Sequence, residues 1–450
     1  MRVLIGLADT ASFPSRLALA LQRQGDQARV LNTEQHRYAE QNAAAASLQV
    51  LPRAFRWAAA CERFGPVGRV VGGVLKTLAR WAAFAYAIAW AEVVIFVGGR
   101  SLLMGNWDQW LLQRLGRTVV RVYLGSDSRP KYLGGWHPAL VDDDEATVAR
   151  AAKKLHGGVR RQAARVHRMD RWADVVIDSP LGGFFHQQPF VNWHAIGFPH
   201  DDSFYPAISE TSSTFRPRNV DEPRVRVLHC PSNPLVKGTP QIDVAIEALV
   251  AEGQPIEYRK LTGVPRTTVL AAVRESDIVV DQLYSDTPMA GVASEAAALG
   301  TAVVVGGYSW SQLKAINPPG LFGPTVAITP EDLESTLRHL VADADARERH
   351  AAAARQFVQT QWHADAVATR LRTILSGHVD PSWWVDPASV PVWQGLAATD
   401  EHRREVLAAY VQHEGWAALN IPSESALFAA IREQVGDIDG RQSESLSAAA

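Results

Sequence analysis

The sequence predicts an α/β protein in which two doubly wound parallel sheets are followed by a helical C-terminal appendage. Short apolar runs without alternation recur along the chain, each followed by a helical pattern, and this is typical of parallel strands buried on both faces. The length of 450 residues suggests two to three domains. From Asp380 onward the composition shifts to eleven acidic against four basic residues, which marks the appendage as a separate segment.

The N-terminal part begins with a βαβ unit. Residues 2–7 predict a strand, Phe13 to Gln24 a helix and Ala28 to Leu31 a second strand. The loop at 8–12 carries no G-x-G-x-x-G fingerprint, which argues against a dinucleotide site there. Further strands are predicted at Glu92 to Val97, Arg117 to Leu124 and Asp174 to Asp178, and one or two helices at Asp144 to Arg171.

Residues 51–91 form an apolar stretch, rich in alanine and tryptophan, with six basic residues and one acidic residue. Basic amphipathic helices of this kind can lie on anionic membrane surfaces. The alternative is that the helices pack on the N-terminal sheet with their arginines in solvent. Glu92 and the strand that follows argue against a membrane-spanning segment. The sequence therefore leaves peripheral membrane contact through 51–91 open as one of two possibilities.

Two loops that follow predicted strands carry candidate ligand groups. In the loop at 98–101, two glycines allow close approach of the backbone, and the next amides open a helix. In the loop at 125–129, Asp127 could accept a hydrogen bond or act as a base, and Arg129 could bind a phosphate. Alternatively, Asp127 caps a turn and pairs with Arg129. The candidates in the two loops are Gly98, Gly99, Arg100, Ser126, Asp127 and Arg129.

A second βαβ series occupies residues 224–310, after a polar segment at 209–222. Its strands are predicted at Val225 to His229, Ile256 to Lys260, Asp277 to Val280 and Thr301 to Val305, and its helices at Gln241 to Ala251, Thr267 to Ser276 and Gly291 to Leu299. A last strand is predicted beyond the series, at Thr325 to Ile328. The carboxyl ends of parallel strands meet at one edge of a sheet, where ligands bind. The loops at 232–239, 262–266, 281–291 and 306–310 should therefore converge in one crevice.

Three residues in this series are placed to bind a nucleotide diphosphate. Lys237 precedes a helix in a loop bounded by proline and glycine, where its ammonium could meet a phosphate. Gly291 opens a helix whose free amides could hold a second anionic group. Glu295 lies one turn further along, within reach of a ribose diol. The alternative for Lys237 and Glu295 is that each is a solvated surface residue.

The same stretch resembles a known family. The runs HCPSNPLVKGTPQIDVAIEAL and ESDIVVDQLYSDTPMAGVASEAAALGTAVVV are similar to the donor-binding half of retaining GT-B glycosyltransferases of glycosyltransferase family 4. The resemblance implies two Rossmann-like domains facing a cleft, with a nucleotide-sugar donor in the C-terminal domain and an acceptor in the N-terminal domain. It implies no metal requirement. It also makes Lys237 the donor-phosphate lysine and Glu295 the ribose-binding glutamate.

The sequence departs from the family pattern at three places. The position of the usual first glutamate is Thr287, with Asp286 beside it as a substitute, and Ser232 stands where an arginine is expected. No histidine occurs in the loop at 98–101. The resemblance then gives Asp127 and Asp286 as the catalytic candidates and the two N-terminal loops as the acceptor side. The donor-side candidates are Ser232, Lys237, Gln282, Gly291, Val292 and Glu295.

The expected activity is that of a retaining hexosyltransferase that moves a sugar from a nucleotide-sugar donor, of UDP or GDP type, to a hydroxyl acceptor. The donor is a co-substrate, and no cofactor or metal is expected. The alternatives are a nucleotide-sugar epimerase or hydrolase on the same fold, or a catalytically silent GT-B scaffold protein. The formal net charge of −2 gives no reason to expect nucleic acid as a partner.

The predicted domains are an acceptor domain at 1–208, a linker at 209–222, a donor domain at 223–376 and an appendage at 377–450 with a disordered end. The helices at the end of the donor domain are expected to cross back onto the first domain. The appendage is expected to cover apolar surface or to bind a partner. The first ten residues lack a signal-peptide core and the two cysteines form no disulfide pattern, so a cytoplasmic location is expected.

Overall fold

The computed structural model describes residues 1–7, 12–32, 50–134, 136–201, 224–393 and 398–436. Within these ranges the chain forms two sheets whose strands pair in parallel, apart from one short antiparallel strand at the edge of the first sheet. The predicted linker at 209–222, the loop at 8–11 and the end predicted to be disordered, 440–450, lie outside the described residues. The two sheets correspond to the two series of apolar runs that the sequence predicts.

The first sheet is built from strands that the apolar runs predict, and one short strand that they do not. Its strands are β1 Arg2–Leu7, β2 Gln27–Asn32, β3 Val93–Val97, β4 Thr118–Val122, β5 Val175–Asp178 and β6 Phe190–Asn192. They lie in the order β6-β5-β4-β3-β1-β2 and pair in parallel. Nearly every residue in the central strands is buried, as both-face coverage requires.

The second sheet carries the other predicted strands. They are β7 Val225–His229, β8 Ile256–Lys260, β9 Ile278–Gln282, β10 Ala302–Gly306 and β11 Val326–Ile328. Their order is β11-β10-β9-β7-β8, and every pair is parallel. A last strand, β12 Trp384–Val385, follows this domain in the chain and pairs antiparallel with β6 of the first sheet.

Helices cover the faces of both sheets. In chain order they are α1 Phe13–Arg23, α2 Val50–Glu62, α3 Gly65–Trp90, α4 Trp107–Arg114, α5 Glu145–Asp170, α6 Trp193–Ile196, α7 Pro234–Lys237, α8 Thr239–Ala251, α9 Arg266–Glu275, α10 Gly291–Leu299, α11 Trp310–Ala315, α12 Leu333–Ala342, α13 Ala344–Thr360, α14 Ala364–Leu375, α15 Asp400–Glu414 and α16 Ala426–Val435. The sequence predicts a helix after the loop at 98–101 without bounds, and α4 follows that loop.

Helix α5 runs without a break through Gly157 and Gly158, so the second of the two predicted arrangements, a pair of helices, does not occur. Two glycines in a helix interior cost about 1 kcal/mol each relative to alanine. Gly158 is buried, and a Cβ there would lie 3.3 Å from Cδ of Lys131. Gly158 therefore leaves room for the aliphatic part of the Lys131 side chain. Packing of the buried face of α5 keeps the helix continuous through the two glycines.

The appendage packs on the first domain. Trp393, Leu407 and Tyr410 are buried in one apolar cluster with Val159 and Phe190 of the N-terminal domain. Tyr132 also donates a hydrogen bond of 2.9 Å to the carbonyl of Leu419. Of the two expectations for the appendage, the structure supports the covering of apolar surface.

The last helices of the second domain contact the first domain. Helix α14 packs against α1, and the two chain segments are joined where the amide of His200 donates to the carbonyl of Trp362 at 2.8 Å. The Trp362 ring is fully buried, and a Cβ at Gly197 would stand 2.0 Å from its Nε1. The crossing therefore needs a glycine at that point.

Candidate functional site

The strand-end loops of the second sheet converge as predicted, and Lys237 lies among them. It ends α7, the short helix that follows β7, and its Nζ donates to Oδ1 of Asp281 at 3.1 Å. Gly238 follows with φ 71°, and a Cβ there would stand 2.7 Å from Cβ of Leu283. The loop after β7 is thereby pressed onto the end of β9, which fixes the lysine beside a buried carboxylate.

Asp281 is the partner that orients Lys237. Its side chain is fully buried, and its Oδ2 has no hydrogen-bond partner among the described residues. His229 lies behind the site, with Nδ1 against the carbonyl of Val280 and Nε2 against Oγ1 of Thr239, each at 2.8 Å. A buried carboxylate with one unsatisfied oxygen favours a cation close by, so the lysine is not the solvated residue that the alternative proposes.

Glu295 is also held in place. Its Oε1 accepts from Nε and Nη2 of Arg266, at 2.9 and 2.6 Å, and from Nη2 of Arg16 at 3.2 Å. Arg16 is fully buried and belongs to α1 of the other domain. No hydrogen bond from a described residue reaches Oε2, and the side chain is 12% exposed. One oxygen of the carboxylate is therefore fixed, and the other is open to a ligand.

The start of α10 supplies free amides beside Glu295. Its N-cap is Ala290, which makes no side-chain cap, and the first intrahelical bond runs from the amide of Ser294 to the carbonyl of Ala290 at 2.8 Å. The amides of Gly291 and Val292 precede it, and a Cβ at Gly291 would meet nothing within 4 Å. Unsatisfied amides at a helix start are a favourable place for an anion.

Electrostatics connect the lysine end and the glutamate end. Burial, together with the negative charges of Asp281 and Glu295, raises the pKa of the Cys230 thiol to about 12. Burial and the positive charges of Arg16 and Arg266 hold the pKa of His200 well below its ordinary value. Cys230 directly follows β7, and both carboxylates act on its thiol, so Asp281 and Glu295 belong to the same strand-end region of the second sheet.

A second ion pair joins the loop at 125–129 to the second domain. Arg129 pairs with Asp286, and the two side chains are only 3% and 9% exposed. Burial lowers the pKa of Arg129 to about 10, against the opposing charge of Asp178. The predicted pairing of Arg129 with Asp127 is wrong, because the guanidinium reaches across the interface and leaves Nε and Nη1 without partners among the described residues.

Asp127 caps its own turn, as one of the two predictions states. Its Oδ2 accepts from the amide of Leu124 at 3.3 Å, and its carboxylate lies against the adjacent glycine loop. A Cβ built on Gly98 or Gly99 would stand 3.5 or 3.3 Å from it. Burial raises the pKa of Asp127. Arg165 donates to its carbonyl at 2.8 Å, so the turn is fixed from α5.

The glycine loop is tied down from within the sheet. Arg121, buried in β4, donates to the carbonyls of Gly98 and Arg100 at 2.9 and 2.7 Å. Gln282 bonds Ser285 on the donor side. Other predicted residues stand apart from these contacts: Arg100, Ser126 and Ser232 are exposed, and Val292 is half-buried. The structure brings Gly98, Gly99 and Asp127 together. The side chains of Arg100, Ser126, Ser232 and Val292 lie outside this packed group.

Loops from both domains therefore meet at the carboxyl ends of their strands, and the C-terminal helices cross back over the first domain. This is the GT-B fold. No family model matches the sequence, and no curated protein matches it.

Several solved structures are similar in fold. Spinosyn rhamnosyltransferase SpnG complexed with spinosyn aglycone is 14% identical with a TM-score of 0.41, over 83% of this chain and 100% of that one. HepE from Anabaena in complex with UDP is 13% identical with a TM-score of 0.47, over 84% and 100%. The UDP-GlcNAc 2-epimerase from Neisseria meningitidis bound to UDP-GlcNAc is 11% identical with a TM-score of 0.40, over 84% and 100%. Likeness at this level assigns no ligand to this chain.

The sequence analysis did not identify the partners that orient Lys237 and Glu295. Asp281 lies near the end of β9, after three apolar residues, and a charge at a buried strand end was a usable signal. Arg16 lies between Phe13 and Leu17 on the buried face of α1, where an unpaired arginine would be costly. Arg266 starts α9 and gave no signal of its own. Among the described residues, no cluster of three or more histidine, cysteine or carboxylate side chains could hold a metal ion.

Proposed function

We propose that this protein transfers a sugar from a nucleotide-sugar donor to a hydroxyl acceptor, with retention and without a metal or further cofactor. The observation that carries the proposal is a pair of fixed groups, Lys237 and Glu295, on strand-end loops of the second sheet. Lys237 is oriented by Asp281, and Glu295 is oriented by Arg266 and Arg16. A nucleotide sugar has a diphosphate, which a cation binds, and a ribose diol, which needs a hydrogen-bond acceptor.

The donor would bind with its diphosphate between Lys237 and the amides of Gly291 and Val292. Oε2 of Glu295 would accept from the ribose diol, since Oε1 is already occupied. Lys237, Arg266 and Arg16 carry one positive charge more than Asp281 and Glu295 carry negative charge, so the site favours an anion. The proposed donor is a UDP-sugar or a GDP-sugar.

The reaction would break the bond between the anomeric carbon and the diphosphate oxygen and form one to the acceptor oxygen. Lys237 and the α10 amides would stabilise the charge that develops on the leaving diphosphate. Asp127, whose pKa burial raises, is the candidate to take the hydroxyl proton. Asp286 would reach the donor sugar only after releasing Arg129.

The test is incubation of the protein with UDP-, GDP- and ADP-sugars, with and without a panel of sugar and lipid-linked alcohols. Transfer predicts that release of nucleotide depends on an acceptor and that Lys237→Met lowers it at least a hundredfold. The exposed Lys260, which pairs with Asp243, gives the control Lys260→Met, with parental activity.

Other outcomes of the same incubation decide between the alternatives. Nucleotide release that ignores every acceptor indicates hydrolysis, and conversion of the donor sugar without release indicates epimerisation. A protein whose melting temperature no nucleotide sugar raises would be a silent scaffold, because saturation at 100 times Kd should add about 2.7 kcal/mol.

A further inference from the structure

Helices α2 and α3 form an antiparallel hairpin whose base packs on the first sheet and whose outer part does not. Phe55, Phe84 and Ala87 are buried against the outer face of the sheet, in a cluster with Leu4 and Phe96. Farther out the two helices contact each other. The packing that one sequence interpretation predicts is thus present at the base, and it does not account for the rest of the hairpin.

A stripe of large apolar side chains runs exposed along α3. Its members recur at intervals of three and four residues, which places them on one face of the helix. They are Val67, Val71, Val74, Leu78 and Trp81, with Val70 at the edge, and their exposed fractions lie between 45% and 74%. Over fourteen residues the stripe is about 21 Å long.

The packing of α3 on α2 explains why these side chains face outward. Gly68 and Gly72 lie on the α2 side, where a Cβ would stand 2.0 Å from the carbonyl oxygen of Cys61 or 2.7 Å from that of Ala58. The small residues bring the two backbones together and leave no room for a larger side chain. The apolar stripe is therefore directed away from the interior by the helix pair itself.

Exposed aromatic residues also lie on α2, at the turn and at the far end of the stripe. On α2, Trp57 is 76% exposed, and Phe64 at the turn is 81% exposed. At the other end the Trp81 ring lies 5.2 Å from that of Trp107, at the start of α4. Met104 nearby is 84% exposed. An exposed apolar patch of this kind marks a site of contact with another protein or with a membrane.

The charges around the patch are mostly positive. Arg53, Arg56, Arg63 and Arg69 are exposed. The one carboxylate between residues 53 and 91 is Glu62, which bonds Lys76 at 2.7 Å. An apolar face beside exposed arginines complements a membrane surface, in which anionic headgroups lie above an apolar interior. A protein partner would not require apolar and anionic groups in that arrangement.

We propose that this face of the α2–α3 hairpin binds peripherally to the surface of a bilayer that contains anionic lipid. The apolar stripe would enter the headgroup boundary, with the aromatic rings at the level of the headgroups. Each arginine is expected to raise the partition coefficient about fivefold. No helix in the described part of the chain is long and apolar enough to cross a membrane. The proposal stands whether or not the protein transfers a sugar.

The test is sedimentation of the full chain with vesicles of phosphatidylcholine alone or of equal parts phosphatidylcholine and phosphatidylglycerol. Binding to the anionic vesicles, weakened by salt, is expected. The combined variant Trp57→Ser, Phe64→Ser and Val67→Ser should lower the partition coefficient at least tenfold. Val244→Ser with Val250→Ser removes exposed apolar residues of α8 and should leave it unchanged.

The charge arm uses Arg53→Gln, Arg56→Gln and Arg63→Gln together. This variant should lose most of the preference for anionic vesicles. The control removes the same charge from exposed positions on α5, with Lys153→Gln, Lys154→Gln and Arg160→Gln together. It should keep the preference. Failure to sediment with either vesicle overturns the proposal. So does equal binding to neutral vesicles, or a lipid-free dimer that Trp57→Ser, Phe64→Ser and Val67→Ser abolishes, since the occupant is then a second copy.

Discussion

His186 is a buried cation held between two carboxylates. Its Nδ1 lies 2.6 Å from Asp170 and its Nε2 lies 2.8 Å from Asp178. Burial by itself lowers the pKa of His186, but the hydrogen bonds to the two carboxylates outweigh it and raise the pKa to about 9. The ring is therefore charged at neutral pH, and this charge contributes to the stability of the first domain.

The pH dependence of stability follows from that pKa. The pKa in the folded protein exceeds the ordinary value of about 6.5, so the stabilisation is complete below about pH 6.5 and is lost as the pH rises through 9. We expect the free energy of unfolding to fall by about 3 kcal/mol over that interval. Urea titrations of the parent and of His186→Gln should show the loss in the parent only, with the exposed His350→Gln as the control.

The candidate residues of the donor site were predictable, but the residues that hold them were not. Lys237 and Glu295 stand at fixed distances from strand ends that the sequence predicts. The bond between Arg16 and Glu295 joins residues 279 positions apart, and no local pattern encodes it. The pairing of Arg129 was mispredicted for the same reason, because sequence proximity favoured Asp127 over a carboxylate in the other domain.

At the scale of single elements, α3 depends on where its glycines lie. Gly68 and Gly73 belong to the same helix, but a Cβ at Gly68 would stand 2.0 Å from the carbonyl oxygen of Cys61 and one at Gly73 would meet nothing within 4 Å. Gly68→Ala should destabilise by about 1–3 kcal/mol through overpacking. Gly73→Ala should stabilise by about 0.5–1 kcal/mol, because alanine is the better helix former.

Denaturant unfolding of the two alanine variants measures both effects. The same direction of change in the two variants would contradict the close approach of α2 and α3 on which the outward direction of the apolar stripe depends.

Most elements follow from periodicity, and the exceptions are those with little of it. The strands of the second sheet were placed within two residues of their observed ends. Strand β12 has two residues and forms only because β6 offers an open edge, so no pattern in the sequence could indicate it. Helix α4 has aromatic and polar residues with a weak apolar period, and tertiary packing decides its conformation.

At the scale of the whole molecule, the two domains meet through buried charges. Arg129 and Asp286 should show a coupling energy of about 1–3 kcal/mol in a double-mutant cycle of Arg129→Met and Asp286→Asn. The exposed pair Lys260 and Asp243 should give no more than about 1 kcal/mol in the corresponding cycle. Unfolding free energies measure both couplings, and equal values would contradict the interdomain pair.

The fold class could be predicted from the sequence, because two series of parallel strands separated by helices leave few alternatives. How the domains meet could not be predicted, since it depends on pairs such as Arg16 with Glu295. These pairs occupy the groups proposed to bind the donor and acceptor. Ligand binding and domain contact therefore involve the same side chains.

The most direct test of the donor site is calorimetric titration with UDP-, GDP- and ADP-sugars of the parent, Lys237→Ala, Glu295→Gln and the variant carrying both. The account predicts that the parent binds one of these donors, that each single change weakens binding at least tenfold, and that the double variant shows none. Lys260→Ala with Glu252→Gln, both exposed, should bind as the parent does. Undiminished heat from the double variant would contradict the account.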